Sequence, residues 1–136
     1  MGESNEFITI HKSGCYGYCV PSDYIIHDNM IVNYIQYSRL VKRDKKLVLK
    51  SFKKTFKLSE NEFKMIKDAV TRSNFMKYKD QYTEPTYDRQ RCTITINFNN
   101  ATKKIDISIG DKSVPEPLIK LIHTIDSIID SHIKIS

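Results

Sequence analysis

The fold class of this chain follows from residues 92–109, which read CTITINFNNATKKIDISI. Apolar and polar residues alternate on both sides of Asn99 and Asn100, a pattern that predicts two strands joined by a turn. Each strand would bury one face and leave the other in water, which is typical of an antiparallel sheet. Such a sheet needs helices to cover its apolar face.

Two predicted helices supply this cover. Ser59 and Glu62 have the spacing of a capping box, so a helix should begin there and end near residues 72–74. Pro115 and Pro117 precede a second helix. Its apolar residues recur at helical spacing and form one broad stripe: Leu118, Leu121, Ile122, Ile125, Ile128, Ile129 and Ile133.

Four further strands are predicted before the first helix, at residues 7–11, 24–27, 31–37 and 46–56. Strands and helices in separate runs indicate an α+β fold. We expect a mainly antiparallel sheet of about six strands with both helices on one face, in the order ββββα-ββα. The length of 136 residues indicates one domain, 1–136, with an ordered core at about 7–133.

Positive charge is concentrated in one segment. The chain has a net charge of +6, but residues 39–57 hold nine cations and one acid, a net charge of +8 that leaves −2 for everything else. A local basic stripe is a better indication of a polyanionic partner than a high overall pI. Cations that alternate along a strand near aromatic residues predict a nucleic-acid contact, and the candidates are Arg39, Lys42, Arg43, Lys45, Lys46, Lys53 and Lys54. A solvated outer strand that resists aggregation is the competing interpretation.

A second candidate site is the run Cys15-Tyr16-Gly17-Tyr18-Cys19. Its spacing allows two packed thiols, a disulfide between Cys15 and Cys19, or redox or metal chemistry. A zinc site would also require Cys92 and either His11 or His27. We expect no metal and no cofactor.

The long polar loop at residues 77–91 holds three tyrosines, and long loops often carry function. Tyrosine is a favoured contact residue in protein interfaces. The leading hypothesis is therefore a small non-enzymatic interaction domain, an inhibitor or adaptor that binds another protein. Its candidate contacts are Tyr16, Tyr18, Tyr78, Tyr82, Tyr87 and Asp88.

Several classes of function lack support in the sequence. The four histidines are scattered, and no phosphate-binding glycine loop or nucleophile motif occurs, so we expect no enzyme. No apolar run is long enough to cross a membrane, and the N-terminal residues do not form a signal peptide. The expected location is the cytoplasm, and the oligomeric state is left open.

The chain resembles an uncharacterised bacterial family of unknown function. The resemblance rests on the cysteine run and on the segment from Tyr82 to Asp88, and in layout it covers about residues 7–133. Members of that family carry a Cys-x-Gly-x-Cys-Pro-x-Tyr turn, a helix, a hairpin and a closing helix. Here the residues after Cys19 are Val20-Pro21-Ser22, with Tyr24 displaced. The resemblance implies the fold and leaves the function open.

Overall fold

A computed structural model of the chain describes residues 5–13, 21–43, 46–82, 90–109 and 112–133. Four strands come first, followed by a helix, a single 3-10 turn at Phe75–Lys77, three strands and a second helix. The elements are β1 (Glu6–Lys12), β2 (Ser22–His27), β3 (Ile31–Arg43), β4 (Lys46–Lys57), α1 (Glu60–Ser73), β5 (Gln81–Tyr82), β6 (Arg91–Phe98), β7 (Ala101–Ser108) and α2 (Glu116–Ile133).

The strands form one seven-stranded sheet in the order β4-β3-β2-β1-β6-β7-β5. Every pairing is antiparallel except the short parallel one between β5 and β7. The α+β prediction is confirmed, but the sheet has seven strands and not about six. The additional strand is β5, which lies inside the predicted loop 77–91. Two residues are too few to produce the alternation by which strands are recognised.

The first strand lies in the middle of the sheet. Ile10 in β1 pairs with Tyr24 in β2 on one side and with Ile94 in β6 on the other. All three side chains are buried on the face that the helices cover. Because β1 and β6 are far apart in the sequence, this central pairing joins the two halves of the chain into one core.

The predicted capping box is present at the start of α1. The Ser59 hydroxyl accepts a hydrogen bond from the Glu62 amide at 3.1 Å, and the Glu62 carboxylate accepts one from the Ser59 amide at 2.8 Å. The helix ends at Asn74, whose φ of 51° is the left-handed conformation that asparagine tolerates. Both ends of the helix therefore match the prediction.

The second helix, α2, buries the predicted apolar stripe against the sheet. Six of its side chains are buried, and each contributes about 1.5–3 kcal/mol relative to an exposed position. They are Leu118, Leu121, Ile122, Ile125, Ile128 and Ile129.

The opposite face of the sheet, here called the uncovered face, carries mainly polar side chains. No helix or strand among the described residues packs on it. It presents Thr9, His11, Asp23, Asn33, Thr93 and Thr95, all half-buried or exposed. The two faces of the sheet therefore differ: the helix side forms the core, and the uncovered face is a hydrated surface.

Candidate functional site

The basic segment forms a two-stranded ribbon that continues beyond the described part of β2. Strand β2 pairs with β3 only as far as Gln36, and the Tyr37 amide then donates to the Pro21 carbonyl at 2.8 Å. Beyond Tyr37, the described part of β3 pairs only with β4. We call residues 38–43 and 46–52 the cationic ribbon.

The register of the cationic ribbon places cations opposite one another. Arg39 pairs with Lys50, and Arg43 pairs with Lys46. Like charges directly opposite each other in a ladder repel and lower the stability of the pairing. Lys45 lies outside the described residues. The backbone alone thus brings the predicted cations together along one arm.

The two lysines at the base of the ribbon differ in their contacts. Lys53 is exposed and pairs in register with Ile35. Lys54 lies on the helix side, where its ammonium group donates to the carbonyl of His132 in the last turn of α2. A cation at a helix C-terminus interacts favourably with the carbonyl dipoles there. Lys54 therefore stabilises α2, whereas Lys53 is available to a ligand.

The aromatic residues near the ribbon pack mainly against the protein itself. The rings of Tyr34 and Phe52 meet edge to face at 6.2 Å between centroids. Phe56 stacks on His132 at 4.5 Å, with the two planes within 9° of parallel. Tyr37 is 39% exposed, and its hydroxyl donates to Asp23 at 2.6 Å. Of these four aromatic residues, Tyr37 alone offers an exposed ring on the uncovered face.

The two tyrosine-bearing segments attach to the same end of the sheet. The Ser13 amide donates to the Arg91 carbonyl at 2.9 Å, and the Arg91 amide donates to the Ser13 hydroxyl at 2.9 Å. Ser13 precedes the cysteine run, and Arg91 is the last residue of the predicted polar loop. These reciprocal bonds hold the roots of both segments side by side.

The structure locates two of the six candidate interaction residues. Tyr78 is 7% exposed and belongs to the core, so its ring has little surface to offer a partner. Burial raises the pKa of its hydroxyl, and that hydroxyl finds no hydrogen-bond partner among the described residues. Tyr82 is half-buried and accepts a hydrogen bond from the Lys79 amide at 2.9 Å. The other candidates, Tyr16, Tyr18, Tyr87 and Asp88, lie outside the described residues.

A polar cluster that no sequence pattern indicates lies between the sheet and α2, near the end of β1. The Tyr24 hydroxyl donates to one oxygen of Asp126 at 2.5 Å, and the Lys12 ammonium group donates to the other at 2.7 Å. Burial, and then the Asp126 charge, raise the pKa of Tyr24 well above its ordinary value. We call these three residues the Tyr24 cluster. Its residues are distant in sequence, so no local motif could have indicated it.

The proposed zinc ligands that the structure describes, Cys92, His11 and His27, do not come together. Cys92 is fully buried on the helix side, and burial raises its thiol pKa to about 12. His11 and His27 lie on the uncovered face. There His11 contacts the carboxylate of Asp23, and Nε2 of His27 lies 2.6 Å from the amide oxygen of Asn33. The described residues contain no group of three potential metal ligands. Cys15 and Cys19 lie outside the described residues, so their disulfide, redox and metal roles stay predictions.

The fold and these surfaces define a small two-layer α+β domain with a cationic two-stranded ribbon. The chain belongs to the family described as Domain of unknown function (DUF6438), whose model matches residues 6–129. The comparison with curated proteins found no match. Within the described ranges, no helix is both long enough and apolar enough to span a membrane.

Proposed function

We propose that this domain binds nucleic acid through the cationic ribbon. The observation that carries the proposal is that the most basic segment of the chain continues past the described part of β2 as two paired strands, with cations paired in register. Lysine and arginine that neutralise phosphates release counterions, and this supplies much of the free energy of nucleic-acid binding. Two-stranded β-ribbons are known to enter nucleic-acid grooves.

The paired cations support this proposal over a purely protective role. Lysines on an outer strand discourage edge-to-edge association, and scattered charges are sufficient for that purpose. Placing Arg39 opposite Lys50 and Arg43 opposite Lys46 lowers the stability of the hairpin. An anionic ligand that lies along the ribbon would offset that repulsion. A protective role provides no such compensation.

A salt titration of binding tests the proposal. Fluorescence anisotropy with a labelled oligonucleotide should show affinity falling by about a thousandfold between about 50 and 200 mM salt, if about six cations contact phosphates. The variant Arg43→Gln/Lys46→Gln/Lys53→Gln should reduce the slope of log affinity against log salt by about one unit for each cation.

The matched control removes the same charge from the helix layer. Lys64 and Arg72 on α1 and Lys120 on α2 are all exposed, so Lys64→Gln/Arg72→Gln/Lys120→Gln changes the net charge equally. This control should bind like the unaltered protein. Equal losses in both variants would contradict a role for the ribbon. Aggregation of the ribbon variant without any loss of binding would favour the protective role.

Binding to another protein is the second candidate function, and it concerns the same end of β2 as the start of the ribbon, since Lys12 pairs with Ser22 and Ser22 with Gln36. The reciprocal hydrogen bonds between Ser13 and Arg91 favour it, because they bring the roots of the two tyrosine-bearing segments together. Tyrosine is enriched in protein interfaces, and both segments carry it in the sequence. A pull-down from the native host should recover a partner that Tyr16→Ala/Tyr18→Ala/Tyr87→Ala loses. Unchanged recovery would contradict this candidate.

A further inference from the structure

We infer that the ligand of the cationic ribbon is double-stranded DNA, bound over about one helical turn. This inference deepens the proposed function and rests on it. It follows from three features: the aromatic side chains that are already packed, the dimensions of the ribbon and of β4, and the placement of the exposed lysines at its base.

The first feature argues against a single-stranded ligand. Proteins that bind single strands combine a basic groove with exposed aromatic rings on which successive bases stack. Near the ribbon, Tyr34 and Phe52 pack on each other, and Phe56 stacks on His132. Tyr37 is the one exposed ring among these residues, and one ring cannot support a run of stacked bases. The charges are therefore suited to the phosphates of a duplex, whose bases stay paired and stacked.

The second feature is size. Two paired strands lie about 5 Å apart, so with its side chains a two-stranded ribbon fits the major groove of B-form DNA, which is about 12 Å wide. β4 has 12 residues. At about 3.4 Å per residue it spans at most roughly 40 Å, slightly more than one turn of duplex at about 34–36 Å. A register shift lies between Gln36 and Arg39, where the ribbon begins.

The third feature is the charge at the base of the ribbon. Lys53 and Lys57 are exposed and lie four residues apart on β4, so both belong to the uncovered face. Lys54, between them, contacts α2 on the other side. Positive charge therefore continues from the ribbon onto the uncovered face. A duplex that receives the ribbon in its groove would meet these two lysines with its backbone.

The groove also distinguishes between duplexes. The major groove of A-form RNA is deep and too narrow for side chains to read, whereas that of B-form DNA admits a ribbon. We therefore expect duplex DNA to bind more tightly than duplex RNA of the same length. Non-specific attraction to phosphate would not distinguish the two to the same extent.

A competition series tests the inference. The probes are duplex DNA of about 6, 12 and 24 base pairs, single-stranded DNA and duplex RNA of about 12 units, and polyglutamate as an acidic polypeptide. The duplex of about 12 base pairs should bind at least about tenfold more tightly than the RNA duplex, the single strand or the polyglutamate. Shortening it to about 6 base pairs should lower affinity at least about tenfold, because part of β4 would lose its phosphates.

The outcomes separate the inference from the proposed function. A single strand or RNA duplex that binds as tightly as duplex DNA would overturn the inference and leave nucleic-acid binding intact. Polyglutamate that binds as tightly as DNA would overturn both, as would the absence of binding to every probe. Tyr37→Ala removes the exposed ring and should change duplex affinity less than about twofold. A tenfold loss in that variant would indicate base stacking and overturn the inference.

Discussion

Replacing Tyr24 by phenylalanine tests the Tyr24 cluster with the smallest change available. The ring is 3% exposed and stays packed on Tyr34, so the variant loses the hydroxyl and little else. The lost bond is the 2.5 Å donation to Asp126. A hydrogen bond to a charged group contributes about 1.5–3 kcal/mol. Asp126 is 23% exposed and water can reach it, so we expect the lower half of that range.

Equilibrium urea denaturation measures this effect. With a typical slope of about 1–3 kcal/mol per molar urea, the midpoint should fall by about 1 M. Asp126→Ala should cost more, about 3 kcal/mol, because it leaves the Tyr24 hydroxyl buried without its acceptor and Lys12 without its partner. The double variant should reveal a coupling energy of at least about 1 kcal/mol. Additive losses, or a loss below about 0.5 kcal/mol for Tyr24→Phe, would refute this explanation.

Three further changes test other parts of the fold. Opposing effects act on the pKa of Glu62. Burial raises it, whereas the Ser59 amide and the His132 ring lower it by more, so the net pKa is lowered. A carboxylate whose pKa is lowered in the folded state stabilises the protein above its unfolded-state pKa, and this stabilisation is lost on acidification. Glu62→Gln should therefore cost about 1 kcal/mol of stability near pH 7 and less at about pH 3, as thermal unfolding measures. A cost that is the same at both pH values would contradict this. Cys92, with its thiol pKa raised to about 12, should take up a thiol reagent only on unfolding, as the mass of the proteolytic peptide that contains it measures; labelling of Cys92 in the native protein within minutes would contradict its burial. Asn100 has a φ of 62°, in the left-handed region that glycine adopts freely and β-branched residues avoid. Asn100→Gly should therefore keep or raise the melting temperature, and Asn100→Val should lower it by the equivalent of about 1 kcal/mol or more. Equal melting temperatures for the two variants would contradict the left-handed turn.

Much of the fold could be predicted because its signals are local. The capping box at Ser59 and Glu62 involves residues three positions apart, and the alternation in β6 and β7 is visible within eight residues each. Local patterns of this kind specify the type of an element and approximately where it begins. The two helices and the hairpin of β6 and β7 were predicted for this reason.

The sheet order and the Tyr24 cluster depend on distant residues and could not be predicted. The contact between Lys12 and Asp126 joins residues 114 positions apart. The pairing of β1 with β6 likewise requires the whole core to assemble. Tyr78 illustrates the same limit, because a tyrosine in a polar segment gave no sign that its ring enters the core.

For the candidate site, composition identified the segment and the structure determined its shape. The excess of cations at residues 39–57 is visible in the sequence. What composition could not predict is that β3 and β4 stay paired beyond the last described pair of β2 with β3, at Gln36. It also could not predict that Lys54 contacts α2, since that contact depends on where the helix ends.

The most direct test of the ribbon's role is the salt dependence of binding to a duplex of about 12 base pairs. The measurement compares the unaltered protein, Arg43→Gln/Lys46→Gln/Lys53→Gln and the helix-layer control Lys64→Gln/Arg72→Gln/Lys120→Gln. We expect the slope of log affinity against log salt to fall by about three units in the ribbon variant and to stay unchanged in the control. Identical slopes in all three proteins would contradict nucleic-acid binding by the ribbon.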